Sequence, residues 1–480
     1  MSSIGTVEDD RGAVLDALVS AAHPDDTFLA RLDEHFPDLH AAAADAHVGT
    51  EQLQAMVVAA SAAWSSRSLD LKVHGQRRAA GNVLASPATL GASCFADRFA
   101  GNLAGLRDEI PYLRELGVTL LHVQSPFATA DDGTPDLRRI DPGLGRLDRL
   151  SDVAAALRLA GIALAVDVDV AGSGDPVALV TDLFFLANHG VEAFLVADRA
   201  VAALLDPLLA VATPGVAVLP EPSGSTELWR SLATADAGPL QRAVEARDGS
   251  LTVTAVRDAD ALRWADEDDA DRLTAFYTDG SSFGRGVPVA GGVAGTTASL
   301  AGIEAGDPLG ESRVVLAHAL ALSLPGVPLL WLGDDVAQLN DPTSSDDPGR
   351  RDDPRWIHRG QKPRDRYAQR TDAGTPAGRT FAALTKLIAV RQATPEFGGT
   401  RVIGFDVPQP SIVGYQRPGD VALVLVLGNV ATTPAPVDAD TLSGFMAIAH
   451  DLVDDVEVDL SGGLVLPPCG FRWVRVTPRA

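Results

Sequence analysis

Aromatic side chains are scarce in this chain of 480 residues: they make up 5 % of it, and only four are tyrosine. Any pocket therefore has few flat faces on which to stack a ring. Cysteine is nearly absent. Cys94 and Cys469 lie far apart in strand-like surroundings, which excludes a disulfide framework. They read as two buried thiols in a reducing cytoplasm. No Cys/His cluster has metal-ligand spacing, and neither a metal nor a cofactor is expected. No apolar run reaches the ~18–20 residues that cross a bilayer. The opening MSSIGTVEDDRGAV has no basic n-region and no apolar h-region, so it does not read as a secretory signal. Positive charge is in deficit, with 39 Lys and Arg against 64 Asp and Glu, a net charge of −25. That balance argues against nucleic acid and anionic membranes as partners, and it reads as a solvated acidic surface.

Apolar residues are plentiful, at 46 %. The length suits two or three domains, or one large barrel with attachments. Residues 1–87 read as a helical subdomain. DDRGAVLDALVSAA, DTFLARLDEHFPDLHAAAADA and TEQLQAMVVAASAAWSSRSLDL carry apolar positions at 3–4 spacing, with Pro and Gly between them. From about residue 88 the rhythm changes. LGASCFADRF, TLLHVQSPF, IALAVDVDV, VEAFLVAD, VAVLPEP, SLTVTAVRDAD and VPLLWLGDD alternate with helical patterns. Such alternation implies right-handed crossovers and a parallel sheet covered by helices. Seven strands can be counted, and an eighth between Pro222 and Ser250 is poorly marked. Residues 88–396 fit an eight-stranded β/α barrel, a TIM barrel, with a doubly wound sheet as the alternative. Residues 397–480 carry short strands between turn residues, which suggests an antiparallel β-sandwich.

FADRFAGNLAGLRDEIPYLRELGVTLLHVQSPF resembles the first β/α unit of the amylosucrases, within glycoside hydrolase family 13. The likeness continues through DPGLGRLDRLSDVAAALRLAGIALAVD, FFLANHGVEAF, FGRGVP, PLLWLGDDVAQLND, DDPRWIHRG and the C-terminal strands. It runs in one order over nearly the whole chain. The resemblance implies an α-amylase-type barrel with a helical N-terminal region, a C-terminal sandwich and an ancestry in sucrose or α-glucan chemistry.

That chemistry needs two carboxylates about the anomeric carbon, a nucleophile and a general acid of raised pKa. The family adds a third carboxylate, an Arg that keeps the nucleophile ionised, and two His on the sugar hydroxyls. Matching Gly190-Val191-Glu192 to the family's nucleophile strand puts Leu195 at the Arg and Ala197 at the nucleophile. Asp198 falls one place late. A one-residue slip turns a side chain to the other face of a strand, although a bulge would bring it back. Asp198 also stands where it would cap the following helix. Glu221 matches the general acid, and Asp258 the stabilising carboxylate. Arg257 replaces the His before Asp258, and this cation is expected to pair with Asp258 or Glu221. Asp167 matches the carboxylate that orients the lost Arg. The family's Asn-His falls at Ala171-Gly172. Asp131 lies near a sugar-contacting Asp, and Arg355 matches an Arg that pairs with it. Thr134 stands near the place of a Tyr platform. Only AGSGD separates Val170 from Pro176, where the family inserts a small domain that walls the cleft.

These losses point one way, because such residues act as a unit. The first reading is an amylosucrase-like pseudoenzyme. Its partner is a small sugar, an α-glucan, a protein or a second copy of the chain. The second is a working retaining enzyme using Asp198, Glu221 and Asp258. The third is unrelated chemistry built on Asp167, Asp169, Glu221, Arg257 and Asp258.

Overall fold

The computed structural model describes residues 5–479, except 22–23, 82, 132, 169–174, 225, 258 and 265–266. The chain divides into two compact units. One comprises residues 1–83, 94–114 and 119–221. The other comprises residues 84–93, 115–118 and 222–480.

The first unit opens with four helices, α1 (Val7–Ala21), α2 (Asp26–Asp45), α3 (Thr50–Ser66) and α4 (Leu69–Ala80). Two carboxylates join them, Asp10 buried and Asp25 exposed. Asp10 on α1 accepts from the Thr50 hydroxyl at 2.7 Å and lies 3.1 Å from His40 Nε2 on α2. Burial alone would raise the Asp10 carboxyl, but these donors and the Gly5 N–H outweigh it and hold it below its usual value. Asp25 caps α2 through the Phe28 N–H and also accepts from the Trp64 indole, each at 2.8 Å. Helix α4 tolerates a glycine in its interior for a steric reason. A Cβ on Gly75 would stand 2.1 Å from the Pro214 carbonyl oxygen.

The same unit holds strands β2 (Leu120–Val123), β3 (Ala163–Val168), β4 (Ala193–Val196) and β5 (Ala217–Pro220). They pair in parallel, each with the next. Helices α5 (Leu147–Leu159), α6 (Pro176–Asn188) and α7 (Arg199–Ala212) lie between them in sequence. Continuous apolar runs such as Ala163–Val166 and Ala193–Val196 are buried throughout, as parallel strands covered on both faces must be. Arg67, next to α3, donates to the Ala187 carbonyl and Asn188 Oδ1 at 2.8 and 3.0 Å, which fastens the helical segment to α6.

The second unit contributes β1 (Gly91–Cys94), β6 (Ser223–Gly224), β7 (Val253–Ala255) and β8 (Val327–Trp331). The full strand order of the sheet is β5-β4-β3-β2-β1-β8-β7-β6. This is a (β/α)8-type parallel sheet with seven well-formed strands and a stub. The poorly marked eighth strand is the two-residue β6, directly after β5. The rest of the interval up to Ser250 contains α8 (Thr226–Thr234) and α9 (Gly238–Glu245). No run of β-branched residues stands between those helices to support a strand.

After α10 (Glu267–Thr278), α11 (Gly310–Ser323) and α12 (Pro376–Gln392), the unit ends in an antiparallel sheet. Its strands are β9 (Ile403–Gly404), β10 (Ile412–Pro418), β11 (Leu423–Asn429), β12 (Ile448–Asp451), β13 (Val456–Asp459) and β14 (Phe471–Val476). The order is β9-β10-β11-β14-β12-β13. A two-stranded ribbon, Ala435–Val437 with Leu464–Leu466, shares its apolar core. Two buried arginines receive the end of α11. Arg391 donates to the carbonyls of Leu322 and Gly326, and Arg417 to that of Ser323. A helix C-terminus is where cations are favoured. Cys94 and Cys469 are both buried and form no disulfide. Among the described residues no helix is long and apolar enough to cross a membrane.

Candidate functional site

In β/α barrels the chemistry sits at the C-terminal ends of the strands. In the first unit, three candidate carboxylates close successive strands: Asp167 on β3, Asp198 just past β4 and Glu221 just past β5. The register pairs Val196 with Pro220. The next residue on each strand is Ala197 and Glu221, so a methyl group stands abreast of the candidate acid. Asp198 comes one residue further. Its Oδ1 accepts the Ala200 and Val201 N–H groups at 2.8 and 3.0 Å, and the side chain is the N-cap of α7. No bulge interrupts the β4–β5 pairing over Ala193–Val196. Glu221 is exposed.

Asp167 has a different set of partners. Its strand neighbour on β4 is Leu195, which has no donor to offer. Ser125, two residues past β2, donates its N–H to Oδ1 at 2.6 Å and its hydroxyl to Oδ2 at 3.0 Å. His122 Nε2 on β2 lies 3.6 Å from Oδ1. Burial would raise the Asp167 carboxyl. The imidazole and the Ser125 N–H outweigh that, and the group is held below its ordinary value and ionised. Asp131 is exposed in the turn of the hairpin Phe127–Thr129 with Pro135–Ile140, which places it on a surface loop.

Two candidates belong to the second unit. Arg257 follows β7 and is buried. Its guanidinium lies 3.5 Å from Asp334 Oδ1 and 4.8 Å from the centre of the Trp331 ring. Asp258, one of its two expected partners, lies outside the described residues. A described counter-charge is Asp334, which follows β8 and which sequence reasoning did not single out. Thr297 donates to Asp334 Oδ2 at 2.7 Å, and His318 Nε2 is 3.6 Å away. Burial pushes the Asp334 carboxyl up, but Arg257, His318 and Thr297 together bring it below its usual value. A side chain held in this way does not reach out to a sugar hydroxyl.

Arg355 has partners within its own unit, Asp353 through Nε at 2.8 Å and Asp260 through Nη1 at 2.5 Å. Arg359 and His358 join it. Arg359 Nε and His358 Nε2 both donate to the Ala259 carbonyl, at 2.8 and 2.9 Å. The other ring nitrogen of His358 accepts the Gly295 N–H. That pattern needs the neutral ring, and burial, aided by nearby Arg257, lowers its pKa to about 3. The segment 353–359 thereby clamps the residues after β7. Asp258 itself lies outside the described residues, as do Asp169 and the Ala171-Gly172 position. His358 and Asp334 lie in two of the segments that carry the resemblance, DDPRWIHRG and PLLWLGDDVAQLND, but nothing local marks either as a site residue. Their roles depend on partners as far as 99 residues away in sequence. Among the described residues no group of three His, Cys, Asp or Glu side chains is placed to hold a metal ion.

No family model matches the sequence. Solved structures do share the fold. An α-amylase from Geobacillus thermoleovorans, solved with acarbose, is 13 % identical, with a TM-score of 0.53 over 82 % of this chain and 99 % of its own. Amy13B of Eubacterium rectale is 11 % identical at a TM-score of 0.57, covering 83 % and 97 %. The sucrose 6F-phosphate phosphorylase of Thermoanaerobacter thermosaccharolyticum is 12 % identical at 0.54, covering 72 % and 94 %. At such identities the likeness is one of fold. The chain has the α-amylase-type (β/α)8 fold.

Proposed function

We propose that this chain is an α-amylase-type protein of carbohydrate metabolism that has lost glycosyl transfer and serves by binding. One observation carries the reading. The carboxylate nearest the expected nucleophile position, Asp198, is committed to the first turn of α7, and Ala197 takes the place beside Glu221. A retaining mechanism needs a second carboxylate about 5–5.5 Å from the acid. A methyl group cannot attack an anomeric carbon. The absence of a cation at Leu195 supports the same conclusion, because a nucleophile there would have no group to keep it ionised. The ligand is a small sugar or an α-glucan. A protein partner or second copy acts with it, and the setting is the cytoplasm. The fold neighbours include an α-amylase solved with acarbose and a sucrose 6F-phosphate phosphorylase, which makes α-glucans and sucrose the ligands to try first.

The test is turnover. Incubation with sucrose, and separately with maltooligosaccharides, is expected to release no fructose, glucose or new glucan. Turnover that disappears in Glu221→Gln would overturn the proposal and restore Asp198 or another acid as nucleophile.

A further inference from the structure

We infer that the carboxylate of Asp167 and the hydroxyl of Ser125 form a subsite for two neighbouring hydroxyls of a hexopyranose ring. This deepens the binding reading above and rests on it. The site stands on two strand ends of the first unit. With Leu195 beside it, Asp167 has no cation on β4 to pair with. A charge so placed needs donors, and Ser125 supplies two.

Ser125 adopts an unusual backbone to do so. Its φ is +41°, in the left-handed region that side-chain-bearing residues avoid. Such strain clusters at ligand-binding positions. The residue is exposed, and the Asp167 side chain keeps 32 % of its surface open. Both groups therefore face solvent while remaining fixed.

Their hydrogen-bonding capacity defines the ligand. Oδ2 has a lone pair beyond the one that the Ser125 hydroxyl uses, whereas Oδ1 takes the Ser125 N–H and has His122 Nε2 3.6 Å away. The hydroxyl, having given its proton to Asp167, can only accept. The pair presents acceptors alone, and it is negatively charged. It suits a neutral ligand rich in O–H donors held at fixed spacing, as adjacent ring hydroxyls are. It repels phosphate and carboxylate.

Titration calorimetry with sucrose, maltotriose and glucose 6-phosphate tests this on the wild-type chain, Ser125→Gly and Asp167→Asn. Glycine keeps the N–H bond and relieves the φ strain, so that variant is expected to melt no lower than wild type. Binding of sucrose or maltotriose should weaken at least tenfold in both variants, and the phosphorylated sugar should bind least. If wild type binds and both variants match it within twofold, the subsite is wrong while the binding reading stands. If wild type binds neither neutral sugar, the binding reading falls and the subsite with it.

Discussion

Arg257 and Asp334 face each other at 3.5 Å with both side chains almost wholly buried. Removing one partner strands the other charge. Asp334→Ala is expected to cost about 3–5 kcal/mol, because Thr297 loses its acceptor and Arg257 the buried charge beside it. Replacing both residues with leucine should cost much less. The Asp334 carboxyl sits below its unfolded value, so its contribution is fully present above that unfolded value, near pH 4. It is lost as pH falls through the lower folded one. Guanidinium unfolding midpoints for the single and double variants check the pair.

Asp335, the next residue, behaves in the opposite way. Burial, only partly offset by the Gly333 N–H, raises its carboxyl to about 6. Between pH 4 and 6 the folded chain binds this proton more tightly than the unfolded one. Stability therefore falls across that window and stays reduced above it. Asp335→Asn keeps an acceptor for Gly333. It should stabilise the chain by about 2–3 kcal/mol at pH 7 and by little at pH 4. Urea titrations of both proteins at the two pH values give the difference.

The cap at Asp198 separates a structural role from a catalytic one. Asn caps helices about as well as Asp, so Asp198→Asn should leave the melting temperature nearly unchanged. Asp198→Ala should cost about 1 kcal/mol. A nucleophile would show another pattern: any sugar turnover present in wild type would vanish in the Asn variant.

Gly75→Ala tests the seat of α4. Alanine is the better helix former by roughly 1 kcal/mol. Here its methyl group would meet the Pro214 carbonyl at 2.1 Å, backbone against side chain. Net destabilisation of about 1–3 kcal/mol is expected, from thermal melts followed by circular dichroism.

The parts of this fold that could be read from sequence are those in which one short stretch carries its own signal. VEAFLVAD and IALAVDV announce buried parallel strands because nothing polar interrupts them, and Asp198 announces a cap because a helix starts directly after it. β6 carries no such signal: Ser223-Gly224 becomes a strand only because Thr254 and Ala255 lie alongside. The partner of Arg257 was out of reach for the same reason. Asp334 lies on another strand end, and burial rather than spacing joins them. Arg355 has one partner that a short stretch could offer, Asp353 two residues away, and one, Asp260, that only the fold brings to it.

The left-handed turn at Ser125 bears on any attempt to write the family's nucleophile and arginine into this scaffold. Writing Asp at 197 would place an acid beside Glu221 but leave it next to leucine. Writing Arg at 195 as well would require Asp167 to let go of the serine it now grips. The backbone at 125 would then lose its reason to stay contorted and would relax toward an ordinary bend. Such a rewriting is therefore a concerted change across three strand ends, and each single step on the way disrupts the arrangement that the others maintain.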